Sequence, residues 1–139
     1  MYSTVPHSAV LSFVRAVFEA HGFPPADAAA IADVILLADL YGIESHGVQR
    51  MLRYHRAIAE TRTARVGVEP EIVFETPVSA VLDGRDAMGQ LVGIRAMRLA
   101  IAKAKTSGIG MVAVRASNHY GIAGYYTRMA VEEDYLAFR

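Results

Sequence analysis

The chain has 139 residues, 53% hydrophobic and 20% charged, with 14 basic and 14 acidic side chains and a formal net charge of zero. That is chain enough for one domain with a sizeable core, and the balanced charge gives no global field to recruit nucleic acid or an anionic membrane. There is no cysteine, which excludes disulfides, thiolate nucleophiles and cysteine metal ligands; nor is there an apolar run of about eighteen residues or a basic segment leading into an apolar one, so a cytoplasmic protein without a membrane span is expected.

The first part reads as helical. Val10, Phe13, Val14, Val17 and Phe18 recur at helical spacing up to a stop at Gly22. Pro24 and Pro25 open a second helix through Ala28, Ile31, Ile35 and Leu36, and because Val34 to Leu37 is apolar all round, that helix is expected to be buried until Gly42 ends it. A third helix is expected from about Ser45 to Glu60. On it His46 and Arg50 stand four residues apart on one face, and Tyr54, four further on, extends the row with some drift. An imidazole beside a planar, carboxylate-shaped cation is what proton transfer on a small organic acid requires. The same spacing also fits a plain surface helix in which Ser45 is a cap, His46 an early-turn residue, and Arg50 and Tyr54 a cover. Arg50, Arg53, Arg56, Arg62 and Arg65 make a local basic run, readable as a solvated helix face or as an anion site.

From Thr61 the pattern changes, and the division is placed between a helical segment, 1–65, and an α/β segment, 66–139. Pro70 and Pro77 bracket a short strand, Ile72 to Phe74, and Ser79 to Leu82 is a second one ending at Asp83-Gly84. Leu91, Ile94, Met97, Ile101 and Ala104 mark an amphipathic helix closed near Gly108, and Ile109 to Arg115 reads as another strand. Strand, helix, strand in that order predicts a βαβ unit with its two strands parallel. Ile122, Tyr125, Tyr126, Met129 and Ala130 fit one face of a last helix, with the tyrosines read as core rather than as a stacking platform. Ser117 to Gly121 then becomes the loop between a strand's C-terminal end and a helix, where open α/β sheets generally take ligands. Leu136 to Phe138 looks like the start of a further strand, with Arg139 following at once. A truncated chain is the expectation.

Glycine motifs exclude two phosphate-binding chemistries. Gly84 to Gly89 has the spacing of a phosphate loop, but Gln90-Leu91 stands where lysine and a hydroxyl residue are needed. Gly108-Ile-Gly110 precedes a strand instead of following one, so the usual dinucleotide fingerprint is absent. His119, flanked by Asn118 and Gly121 in a strand-to-helix loop, is placed either to approach a ligand or to bond the backbone of a tight turn. His46 and His119 lack a carboxylate or third histidine at ligand spacing, so no metal site is expected. His7, His21 and His55 receive no chemistry.

The stretch Ala38-Asp-Leu-Tyr-Gly-Ile-Glu-Ser-His-Gly-Val-Gln-Arg-Met-Leu-Arg-Tyr54 closely resembles the signature of the type 2 malate/L-lactate dehydrogenases, a family that includes ureidoglycolate, sulfolactate and diketogulonate enzymes. Ser117-Asn-His-Tyr-Gly-Ile-Ala-Gly-Tyr-Tyr126 resembles its second histidine motif, and Asp83-Gly with Gly89-Gln-Leu-Val-Gly93 resembles the segment between. Members of that family run to more than twice this length. The resemblance implies an α/β protein with an N-terminal helical layer and an incomplete Rossmann-like sheet of the family's unusual dehydrogenase fold. It also implies a homodimer and NAD or NADP as cofactor, with a 2-oxo or 2-hydroxy acid as substrate. His119 and His46 become the candidate acid/base residues, His119 slightly favoured. Ser45, Arg50 and Tyr54 become substrate contacts, with Arg50 on the carboxylate, and Asn118 and Gly121 contacts for the nicotinamide end. An isolated stretch of this length is expected to be inactive. Two other readings stand beside it: a non-catalytic or oligomerisation module without the cofactor domain, and a nucleic-acid binder using Arg50 to Arg65, which the zero net charge weakens.

Overall fold

The computed structural model describes residues 4–138. Helix α1 spans His7–Ala20 and helix α2 spans Pro25–Leu40, the latter with Pro25 in its first turn, where a missing N–H costs nothing. Helix α2 is the spine of the molecule. One side of it, through Ile31 and Ile35, joins Val14 and Phe18 of α1, Phe23 and Tyr54 in the largest apolar cluster. The other side, through Val34, meets Ile94 and Tyr126. A helix wedged between two apolar neighbours needs no polar face, which explains the all-round hydrophobicity of Val34 to Leu37. Phe13 departs from its expected place and is 58% exposed. Helix α1 packs chiefly against one partner, α2, so only the narrow stripe of Val14 and Phe18 is covered.

The expected third helix does not exist as one element. Glu44–His46 and Val48–Arg50 are separate 3-10 turns, Met51–His55 forms the short helix α3, and Arg56–Glu60 continues as a π-helical turn. The break lies at Gly47, whose backbone is extended at φ −86° and ψ −150°. Its cause is a residue distant in the pattern, Asp39 of α2, whose carboxylate accepts the Val48 N–H at 2.8 Å. A Cβ on Gly47 would lie 1.7 Å from Asp39 Oδ1. The carboxylate thus takes over an orphan donor at the start of a new turn and occupies the space a side chain would need. His46 and Arg50 therefore do not share a continuous helical face.

The rest follows the expected order. Strand β1 (Glu71–Glu75) pairs antiparallel with β2 (Ser79–Asp83), and β2 pairs parallel with β3 (Met111–Arg115), Ser79 opposite Met111 and Asp83 opposite Arg115. Helix α4 (Gly89–Ser107) makes the crossover and ends at Gly108, φ +78°. Strand β2 is central, and its alternate residues Ala80 and Leu82 are buried, with Leu82 packed on Val92 and Ala96 of α4. Lys103 ties α4 to the β1–β2 turn: its ammonium, 8% exposed, donates to Glu75 Oε1 at 2.8 Å and to the Thr76 carbonyl at 2.6 Å. Helix α5 covers Gly124–Val131, with Tyr126 and Ala130 inward as core. The strand expected at Leu136 to Phe138 is not formed; the segment is coil, and Leu136 and Phe138 are each 91% exposed. An apolar alternation makes a strand only where a neighbour takes up its ladder hydrogen bonds, and no described strand lies beside it. Arg139 lies outside the described residues. The fold is mixed α/β, a helical layer against a three-stranded sheet.

Candidate functional site

The two histidines, 73 positions apart in the chain, meet. Their rings stack with centroids 5.3 Å apart and planes 28° from parallel. Tyr54, 3% exposed on α3, completes the cluster: its hydroxyl lies 2.9 Å from His119 Nδ1, while the Gly121 N–H approaches the same nitrogen at 3.4 Å. The Ser45 hydroxyl lies 2.9 Å from His46 Nδ1. With each Nδ1 engaged in this way, Nε2 is the nitrogen that each ring has left to meet a ligand, and Ser45 serves as an orienting partner instead of a helix cap.

Burial pushes the His119 pKa below the ordinary 6.5, and the positive charges of Arg53, His46 and Arg50 push it the same way. Its neutral form is favoured. Burial raises the Tyr54 phenol to about 12, against which the neighbouring Gln90 amide and the Arg50 and Arg53 cations pull downward. Tyr54 is therefore a neutral hydroxyl throughout the histidine range, free to donate to a bare Nδ1 or accept from a protonated one.

The loop that carries His119 is enclosed by backbone. Gly89 begins α4 directly beneath it: a Cβ there would stand 2.4 Å from the Asn118 carbonyl oxygen and 2.5 Å from that of His119. Asn118 donates through Nδ2 to the carbonyls of Asp86 (3.0 Å) and Ala87 (3.1 Å), binding the loop to the β2–α4 connection. The Tyr126 hydroxyl donates to the Tyr120 carbonyl from the other side. Of the glycines that mimic a phosphate loop in the sequence, Gly89 thus serves close packing beneath His119 and Gly84 close packing against the Ala116 carbonyl after β3.

Arg50 Nε donates to the Ser45 carbonyl, which braces the side chain and leaves the two terminal nitrogens of its fork for a carboxylate. Ser45, Gln49, Arg50, Leu52, Arg53 and Arg56 line an open groove of about 480 Å³. The structure thus brings Ser45, His46, Arg50, Tyr54, Asn118, His119 and Gly121 into one neighbourhood, with Asn118 spending its amide donors on the β2–α4 connection. Arg62 and Arg65 take no part in the groove.

Sequence reasoning missed four contributors. Asp39 and Gly89 act through close approach between segments, which no local pattern records. Arg53 was counted only as part of a basic run. Gln90, fully buried, lies near enough to Tyr54 to affect its ionisation, yet neither end of its amide meets a partner in hydrogen-bond geometry. His21 and His55 also meet, Nε2 to Nδ1 at 3.2 Å, on a different face. Among the described residues no group of three or more histidines, cysteines or carboxylates is placed to hold a metal ion, and no helix is long and apolar enough to cross a membrane.

Residues 5–139 match the family model described as malate/L-lactate dehydrogenase. The chain is 50% identical over 134 residues to a malate dehydrogenase of Pyrococcus abyssi, covering 95% of this chain and 36% of that protein. It is 44% identical over 122 residues to an L-sulfolactate dehydrogenase of Methanocaldococcus jannaschii, covering 86% and 35%. The solved structure of malate dehydrogenase from Pyrococcus horikoshii superposes with a TM-score of 0.92 at 47% identity, over 95% of this chain and 38% of that one. The chain therefore spans little more than a third of the length of these relatives. A family match over nearly every residue, a shared fold and a paired-histidine cluster together establish that the chain belongs to the malate/L-lactate dehydrogenase family.

Proposed function

We propose that this chain is the N-terminal part of an NAD(P)-dependent oxidoreductase that interconverts a 2-hydroxy acid and a 2-oxo acid. The observation that carries the reading is the stacked pair His46 and His119, with Tyr54 on the second ring and Arg50 braced on the carbonyl of Ser45, the residue before the first. In this reading residues 1–65 are a helical segment, residues 66–139 begin the cofactor-binding domain, and the whole protein is a cytoplasmic homodimer.

The loop after β3 supports cofactor binding in part. Asn118 is partly exposed at the C-terminal end of a parallel strand, beside His119, which fits the nicotinamide end, whereas Gly121 is buried and turns its N–H to His119 Nδ1. The bound nicotinamide supplies or takes up the hydride at the substrate's second carbon. What this chain contributes is binding and proton handling. Arg50 pairs both oxygens of the substrate carboxylate and fixes which face of the neighbouring carbonyl is presented. Ser45 and Tyr54 orient the two rings. In reduction, negative charge develops on the carbonyl oxygen, and protonated His119 donates from Nε2 while its Nδ1 proton rests on the Tyr54 oxygen. In oxidation neutral His119 accepts the hydroxyl proton at Nε2. The depressed pKa of His119 favours the neutral ring, so the oxidative direction gains near neutral pH and the reductive direction gains as pH falls.

The test is nicotinamide absorbance in the full-length protein with a 2-oxo acid and NADH or NADPH. Turnover that Arg50→Lys lowers by about 10- to 100-fold in kcat/KM, with cofactor affinity nearly intact, is the expected result, because lysine keeps the charge and loses the fork. Unchanged efficiency in Arg50→Lys returns that residue to the solvated surface.

A further inference from the structure

To take up a proton at Nε2, neutral His119 must carry its own proton on Nδ1, the nitrogen that faces Tyr54 and Gly121. The Gly121 N–H, at 3.4 Å, can only donate and so favours a bare Nδ1. The Tyr54 hydroxyl is nearer, at 2.9 Å, and can act either way. If it donates as well, the ring proton is driven to Nε2, where no second one can be accepted. The working tautomer therefore needs Tyr54 as acceptor, and a hydroxyl accepts there only when its own hydrogen is directed to another partner.

Gln90 is placed to receive that hydrogen. It is the second residue of α4 and 0% exposed. Its neighbours Met88 and Leu91 pack into the apolar cluster of Tyr54, while Gly89 lies against the His119 carbonyl. Of the side chains that pull on the Tyr54 ionisation, Gln90, Arg50 and Arg53, only Gln90 carries an acceptor. Neither its Oε1 nor its Nε2 meets a partner in hydrogen-bond geometry. An amide shut away from water and unmet at both ends is costly, and protein interiors keep few of them without a use. Rotation about the last bond of the side chain exchanges the two ends.

We propose that Gln90 is a positioning residue whose Oε1 accepts a hydrogen bond from the Tyr54 hydroxyl, so that Tyr54 accepts from His119 Nδ1 and Nε2 is kept bare for the substrate's proton. This rests on the acid/base role given to His119 above. Gln90 is fully buried and touches neither substrate nor cofactor; it acts through Tyr54.

The experiment places Gln90→Met and Gln90→Glu in the full-length protein. Methionine is unbranched, of similar size and apolar, whereas glutamate keeps an acceptor oxygen at the same reach. Nitrogen NMR of neutral His119 reads the tautomer without any turnover. The proton is expected on Nδ1 in the wild type and in Gln90→Glu, and on Nε2 in Gln90→Met. With a 2-oxo acid, Gln90→Met should lower kcat by about 10- to 100-fold, part of what general acid/base help is worth, and leave KM within about twofold. Gln90→Glu should stay within about threefold of the wild type. In a Tyr54→Phe background Gln90→Met should cost nothing further, because the two act in series. A wild-type ring protonated on Nε2, a tautomer unmoved by Gln90→Met, or a full loss of rate on adding Gln90→Met to Tyr54→Phe overturns the proposal. Where Gln90→Met does not fold, Gln90→Glu decides: a proton moved to Nε2 overturns it. A protein that shows the tautomer switch but reduces no 2-oxo acid refutes the proposed function and leaves the relay standing, whereas one that turns over with Nδ1 bare refutes the relay alone.

Discussion

His46 lies on a segment fastened at its start by one side chain, Asp39, whereas His119 lies on a loop closed in by the backbone of Gly89 below, the Asn118 amide alongside and the Tyr126 hydroxyl above. Both histidines are half-buried; the first segment is rich in arginine, and on the second burial and neighbouring cations depress the imidazole in pKa. The difference suggests a division of labour. A proton-transfer group gains from a fixed distance and a partly dehydrated ring, while a group that catches a charged substrate gains from lying at the water's edge.

The widest separation between the two regions is expected in turnover. His119→Asn in the full-length protein should fold and bind cofactor, lose about 100- to 10,000-fold in rate, and lose the ionisation near the histidine range. His46→Asn should mainly weaken substrate binding. If His46→Asn is the variant that abolishes the titration, the roles are exchanged, and if neither does, the histidine mechanism is wrong.

The two close-packed glycines give the next contrast. Gly89→Ala drives a Cβ against two carbonyl oxygens that cannot turn aside, so denaturant unfolding should show a loss of about 1–3 kcal/mol. The atoms nearest a Cβ in Gly47→Ala all belong to the end of the Asp39 side chain. Asp39 can rotate away, giving up its bond to the Val48 N–H, for about 0.5–2 kcal/mol. Asp39→Ala should match Gly47→Ala in size and add little to it in the double variant, because both remove the same contact. An additive double variant would break the link between Asp39 and the helix interruption.

A smaller effect is expected at Tyr54. Removing its hydroxyl with Tyr54→Phe takes away the nearer partner of His119 Nδ1 and leaves the Gly121 N–H, at about 0.5–1.5 kcal/mol of stability. In the parent protein this phenol should resist ionisation until about pH 12 by ultraviolet titration. The smallest effect is the stability linkage of His119 itself. Folding favours the neutral ring, so the unfolded chain binds the extra proton more readily, and stability falls as pH drops from the ordinary 6.5 through the lower native pKa. His119→Asn should remove that slope from a plot of unfolding free energy against pH; a slope that persists belongs to other groups.

Much of the architecture was legible because it depends on local signals. Pro70 and Pro77 frame β1, glycines stop α1, α2 and α4, and the β2–α4–β3 pairing follows from element order. What failed depended on distant partners. The residues from Ser45 to Glu60 have an unbroken helical rhythm, and only the carboxylate of Asp39, brought over by the end of α2, shows why Gly47 interrupts it. Leu136 to Phe138 failed for the opposite reason, since a strand pattern without a neighbour is not a strand. The histidines were legible as candidates, and their stacking was not. Neither the 65-residue interval between Tyr54 and His119 nor the contact of His21 with His55 leaves any periodic trace.

The same intervals imply an order of events as the chain folds. The Asp39–Val48 contact closes across nine positions and the Tyr54–His119 contact across 65, a difference of about 2 kcal/mol in loop-closure entropy. The arginine row and His46 can therefore settle early, within a helical hairpin of mostly local contacts, while His119 arrives only after the crossover from β2 to β3 has been made. Substitutions at Asp39 should accordingly slow refolding, whereas Tyr54→Phe should chiefly hasten unfolding.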